Sequence, residues 1–227
     1  MRRSLDVVVD RLAASLSRAT ETALRTVINR RGPAIERSAE KLRRKHPHLG
    51  RAKLARVAMG RKAFHLAGSG AVSAIPAVIP GPGTTAEVTA ALGDLAYLTA
   101  AQIELVLVIA HLYDRPMSDH EARRLDVLMA LGVDAGVVKL GRRSGTVSLA
   151  GEKIPLSEFD SASIDLLAAR VNRKLATQVA SRLARRRAHV IIGREIPVLG
   201  IGIAATYNLW STRTIGLAAI RYFEHIS

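Results

Sequence analysis

The sequence predicts an all-α fold, a helical domain with a central apolar helical hairpin and a small irregular or β-hairpin insertion. Three observations predict it. Hydrophobic residues make up 48% of the 227 residues but aromatics only 4%, so the core is built from Ala, Val, Leu and Ile, and Ala and Leu favour helix. Two long apolar stretches flank a proline-bearing turn. Over residues 137–159 the helical period is lost. Charge divides the chain into a basic helical arm, 1–62, and a helical domain, 63–227, with 137–159 as its insertion.

The first helix is read from Leu5, Val8, Val9, Leu12, Leu16, Ala19, Ala23 and Val27 at helical spacing, with Ser4 as its N-cap. Arg11, Arg18 and Arg25 recur every seventh residue, so they form one stripe that drifts only about 20° per step. Gly32-Pro33 predicts a new, short helix from Pro33 to about Lys45, stopped by His46-Pro47. The next helix, from Arg51, has a charged start (Arg51, Lys53, Arg56, Arg61, Lys62) and an uncharged end.

Residues 71–88, AVSAIPAVIPGPGTTAEV, then break the helix. Pro76, Pro80 and Pro82 each remove a donor and clash with the preceding turn, and Pro80-Gly-Pro-Gly is turn chemistry. Thr84 or Thr85 can cap a helix from about Thr85 to Tyr113. Both arms are long enough to cross a bilayer. Glu87, Asp94 and Glu104 in the second arm, and Gly68, Gly70 and Pro76 in the first, argue against a fixed span. An apolar helix with a few aligned acids reads as the centre of a helical domain whose acids are paired.

Residues 118–132 predict a helix capped by Ser118, with Glu121 completing a capping box and Gly132 ending it. Within 137–159, TVSL and EKIPL can pair across Ala150-Gly151. Asp160 or Ser161 caps an amphipathic helix with Ile164, Leu167, Ala168, Val171, Leu175, Val179 and Leu183 on one side. Arg170, Arg173, Lys174, Arg182 and Arg185 to Arg187 line the other. Residues 190–212 are apolar except for Arg194, Glu195 and Asn208. Pro197 suits a first helical turn, and Gly200 and Ala204 suit close packing.

Two motifs carry a resemblance. Residues 79–114, IPGPGTTAEVTAALGDLAYLTAAQIELVLVIAHLYD, combine a proline turn with a D-L-x-x-L-T-x-x-Q-I run on the long helix. Residues 193–227, GREIPVLGIGIAATYNLWSTRTIGLAAIRYFEHIS, combine an R-x-x-P-x-x-G run with Asn208, a small-residue helix and an aromatic pair. Together they cover about a third of the chain and resemble the EcsC family. That family's pattern has Gly after the tyrosine, where this chain has Asp114; a left-handed residue there costs Asp more than Gly. The resemblance implies a mainly helical, cytoplasmic or membrane-associated protein, and implies no particular chemistry.

Composition narrows the function. The formal charge is +15, and residues 1–62 hold 17 Lys and Arg against five Asp and Glu. Such a balance points to a polyanion, either anionic membrane lipid (or a membrane protein beside it) or nucleic acid. The candidate contacts are Arg11, Arg18, Arg25, Arg43, Arg44, Lys45, Arg185, Arg186 and Arg187. Nucleic acid is the weaker alternative, because aromatics for base stacking are scarce. The basic start MRRSLDVVVDRL is no secretory signal, since Asp6, Asp10 and Arg11 interrupt it, which predicts a cytoplasmic protein peripheral to the inner membrane face.

A buried polar network is expected from Glu87, Asp94, Gln102, Arg194 and Asn208, with Arg194 pairing Asp94 or Glu87 and Asn208 bonding backbone at a helix crossing. No catalytic constellation is visible. There is no cysteine, and His65, His111 and His120 match no metal spacing. PGPGTT lacks the phosphate-loop lysine, GIGIAA lacks the third glycine of a dinucleotide site, and GSG is no nucleophile elbow. No cofactor is expected, and an enzyme would need a site of unrecognised type.

Overall fold

The computed structural model describes the backbone of residues 2–73, 85–116, 119–149, 151–192 and 198–227. Side chains are described for 14, 17, 18, 20–67, 97–116, 119–149, 151–177 and 206–227. Over these residues the fold is all-α with a small three-stranded sheet. The helices are α1 (Arg2–Lys45), α2 (Arg51–Ser73), α3 (Thr85–Leu112), α4 (His120–Asp134), α5 (Ser161–Ile192) and α6 (Val198–Ile226). The turn expected from the three prolines falls at 74–84, which lies outside the described residues.

α1 corrects one reading. Gly32-Pro33 does not divide it, and 44 residues run as one helix about 66 Å long. The buried stripe explains this: Leu24, Val27, Ile28, Gly32, Ile35, Ala39 and Leu42 stay in phase across the dipeptide. Pro33 sits on the exposed side, where water can serve the carbonyl that its missing N–H leaves free. The 62/63 boundary is likewise not a structural one. It falls inside α2, and Leu24 to Leu42 of α1 share a single core with α3, α4 and α6.

α3 is the centre. Ile103, Leu105 to Ala110, Leu112 and Tyr113 are buried on every side, as an all-round apolar helix requires. α1, α2, α4 and α6 pack on it. Directions follow from specific contacts. Gln102 meets Ser211, and Tyr113 meets Phe223 and Glu224, so α3 and α6 run parallel. Asn208 meets the Leu66 carbonyl, and Gly216 packs on Met59, so α2 and α6 run antiparallel. Arg31 reaches Glu104 and Arg43 reaches Asp114, so α1 runs parallel to α3.

α4 is capped by Asp119, whose carboxylate accepts from the N–H groups of Glu121 (2.9 Å) and Ala122 (3.1 Å). Those two bonds hold its carboxyl below the usual range. The sequence points to Ser118 as the cap; the structure places Asp119 there, one residue closer, with a full charge at the helix start. Gly132 does not end the helix. A Cβ there would stand 2.7 Å from Val138 Cγ2, so this glycine permits the sheet to approach. The stop is Gly136, at φ +71°, where Val137 N–H bonds the Gly132 carbonyl at 2.8 Å and Gly136 N–H bonds that of Val133 at 3.2 Å.

The insertion holds β1 (Val138–Leu140), β2 (Thr146–Leu149) and β3 (Glu152–Pro155), antiparallel in that order. The hairpin of β2 and β3 is the pair read from the sequence; β1 adds a third strand. Val138, Val147 and Leu149 are buried, which fastens the sheet to the helical core. Asp160 then caps α5 by accepting from Ser163 N–H at 2.8 Å.

Candidate functional site

The sequence-derived cations divide. Arg18, Arg25, Arg44 and Lys45 are exposed, and Arg25 Nε lies 3.0 Å from Glu21. Arg43 is committed elsewhere. Its guanidinium donates to the carbonyls of His111 (3.1 Å) and Leu112 (3.2 Å) and to the Asp114 carboxylate. It therefore closes the C-terminal end of α3, where cationic groups complement the helix dipole. Arg11 and Arg185 to Arg187 lie on helices whose side chains there are outside the described residues. Further cations along α1 and α2 are exposed that sequence reasoning had not singled out as contacts: Arg37, Lys41, Lys53, Arg56 and Arg61.

Asp114 sits at φ +61° and terminates α3 in the manner of Gly136, with Arg115 N–H on the Ala110 carbonyl at 3.1 Å. The departure from Gly is thus met by Arg43, which holds the Asp114 side chain. Asp114→Gly should stay within about 1 kcal/mol of the parent in urea unfolding, because relief of the left-handed backbone offsets loss of the ion pair. Asp114→Ala should fall about 1 kcal/mol below Asp114→Gly, since it loses the pair and keeps the strain. Equal stability of the two variants would remove the backbone argument.

Of the expected polar network, two members are described. Gln102 Nε2 donates to Ser211 Oγ at 2.9 Å, joining α3 to α6. Asn208 Nδ2 donates to the Leu66 carbonyl at 3.4 Å, joining α6 to α2. Glu87, Asp94 and Arg194, and any pairing among them, fall outside the described side chains. The third acid of α3, Glu104, is met by Lys62 (3.0 Å) and Arg31 (3.2 Å), one cation from each neighbouring helix.

Sequence reasoning missed the best-formed buried cluster. Asp126 of α4 is 2% exposed. Its Oδ2 accepts from Arg115 Nε at 3.1 Å, and its Oδ1 from the Tyr222 hydroxyl at 2.9 Å. Burial pushes the Asp126 carboxyl up, against the pull of Arg115 and the bonds that Arg115 and Tyr222 donate. Burial alone would lower the Arg115 pKa, but Asp126 outweighs it and the guanidinium holds its proton more firmly than usual. Burial, then Asp126, keeps the Tyr222 phenol protonated well beyond its ordinary range. The available signal was phase: Asp126 lies among Val127, Leu128 and Ala130 on the inner side of α4.

Arg115 and Tyr222 also line a cleft of about 520 Å³ with Ser144, Thr146, Leu156 and Ile226, between the sheet and α6. The cleft presents a cation and hydroxyls. The carboxylate behind them is buried and already bonded, so it offers no general base to the cleft. Nearby, burial and the Glu224 carboxylate push the Tyr113 phenol up to about 12. Among the described residues, no group of three or more His, Asp and Glu is placed to hold a metal, and no helix is long and apolar enough to cross a membrane.

The architecture is that of an α-helical domain with a basic exterior and a small sheet. Comparison of the chain with protein-family models, with curated proteins and with solved structures finds no match.

Proposed function

We propose that this chain is an EcsC-like, amphitropic protein that binds or adapts at the cytoplasmic face of a membrane, held by anionic lipid. The motifs at 79–114 and 193–227 support the family reading. The observation that carries the function is the division of labour on α1 and α2. Their apolar stripes are buried in the core, while Arg18, Arg37, Lys41, Arg44, Lys45, Lys53, Arg56 and Arg61 face outward. A basic exterior on a chain of net charge +15 gathers anionic lipid, at about 1 kcal/mol for each Lys or Arg close to the surface.

Flotation with vesicles tests this. The protein should rise with vesicles of phosphatidylcholine and phosphatidylglycerol, should not rise with phosphatidylcholine alone, and should lose binding as ionic strength climbs from about 0.1 M toward 1 M. Equal, salt-insensitive binding to both vesicles overturns the electrostatic reading. Preference for duplex DNA over anionic vesicles at equal salt replaces it with nucleic-acid binding.

A further inference from the structure

We infer that the cleft between the sheet and α6 binds a small phosphate monoester on a hydroxylated carbon body, such as a polyol or sugar phosphate. The site is separate from the basic exterior of α1 and α2, and it stands whether or not that exterior meets a membrane.

The anchor is Arg115. Its guanidinium carries five N–H groups in a planar fork. Asp126 takes one edge of it: Nε donates to Oδ2 at 3.1 Å and Nη2 to Oδ1 at 3.4 Å. Nη1 and the second N–H of Nη2 make another edge, which meets no acceptor among the described residues. Exposure divides the pair in the same way. The Arg115 side chain is 35% exposed and that of Asp126 3%, so the cation is what the pair shows to the cleft. Asp126, itself bonded by the Tyr222 hydroxyl, orients the fork in advance of any ligand. An open guanidinium edge of this kind takes two oxygens of one phosphate.

The hydroxyls of the cleft sort into acceptors and donors. Ser144 already donates to the His225 carbonyl and Tyr222 to Asp126, so each has only oxygen lone pairs left to offer. Those accept from hydroxyl groups of a ligand and give nothing to its phosphate. Thr146 and Ser157 line the cleft too, and their hydroxyls are uncommitted among the described bonds, so they can donate.

Charge selects a dianion. Asp126 already balances Arg115. Arg143 and Arg221 adjoin lining residues and Arg142 adjoins Arg143; all three are exposed and outside the described ion pairs. Glu158, beside Ser157, is the matching acid, and three cations against one acid leave two positive charges. A phosphate monoester carries about −1.5 to −2 at pH 7, where a carboxylate carries one charge. The volume of about 520 Å³ falls inside the range of about 300–1,000 Å³ usual for small-ligand sites.

The test is calorimetric titration of the full chain with glycerol 3-phosphate. It should saturate with a Kd of about 1 mM or tighter, and inorganic phosphate, which has no hydroxylated body, should bind severalfold more weakly. Arg142→Ala with Arg143→Ala removes only exposed groups and should weaken binding about tenfold or more, with an unchanged thermal midpoint. Arg115→Lys, which keeps a cation for Asp126 but loses the open edge, should do the same. Arg44→Ala with Lys45→Ala should leave binding within about twofold. On titration the amide resonances of Ser144, Gly145, Ser157 and Tyr222 should move, and those of residues 46–50 should stay. Displacement of glycerol 3-phosphate by vesicles carrying phosphatidylinositol 4-phosphate, a phosphate monoester on a hydroxylated ring, assigns the ligand to a lipid headgroup; no displacement assigns it to a soluble ester. Absence of saturable binding, equal losses from the two alanine pairs, or resonance shifts confined to α1 and α2 overturns the site, while lipid flotation is unaffected by any of these results.

Discussion

Asp126→Ala should lower the unfolding free energy by about 3 kcal/mol, read in urea or by heat. It leaves the Arg115 guanidinium without its counter-ion and the buried Tyr222 hydroxyl without its acceptor. The figure sits at the low end of the range for breaking a buried pair, because the Arg115 side chain is 35% exposed and keeps part of its hydration. Asp126→Asn should cost less, since an amide oxygen still accepts from Tyr222. The two variants also differ from the parent in pH dependence. Burial raises the folded-state pKa of Asp126 above its unfolded value. Between those two values the folded protein binds the extra proton, so the carboxyl's contribution to stability falls as pH rises through that window and is flat above it. Asp119 and Asp160, whose carboxyls are held low, act in the opposite sense, so the quantity to follow is parent minus Asp126→Asn at each pH. That difference should decline with rising pH; a difference that grows would reverse the assigned sign.

The second large effect is expected at Phe223. It is fully buried, its ring centroid 5.9 Å from Tyr113 and 5.0 Å from Tyr222, and so it joins α6 to the end of α3 beside the Asp126 cluster. Phe223→Ala should cost about 3–5 kcal/mol through lost transfer energy and the cavity left behind. Phe223→Leu, closer in volume, should cost under about 1.5 kcal/mol. Comparable losses from both would mean that ring stacking, and not filled volume, carries the site.

Much of the architecture could be read along the chain. The ends of α1 at Lys45 and of α3 near Tyr113, the start of α5 behind Asp160, and the β2–β3 hairpin all follow from local chemistry: proline, capping carboxylates and a change of period. Gly32-Pro33 and Gly132 show where such signals fail. Each carries a strong local preference for a break, and each is overridden because the residues around it are already in contact with the core. The candidate contacts were legible as charge but not as geometry. Nothing local distinguishes Arg43, which serves three acceptors at the end of α3, from its neighbours Arg44 and Lys45, which face water.

By itself the sequence determined that the chain is helical, that its interior is aliphatic and that its surplus of positive charge gathers toward one end of the chain, because period, composition and charge are properties of neighbours along a strand of polymer. Only the tertiary structure decided that Asp126 is buried beside Arg115 and Tyr222, that a 44-residue helix survives its proline, and that Arg43 closes the end of α3. These depend on the register between helices far apart in the chain, which is set by the packing of side chains no local pattern brings together.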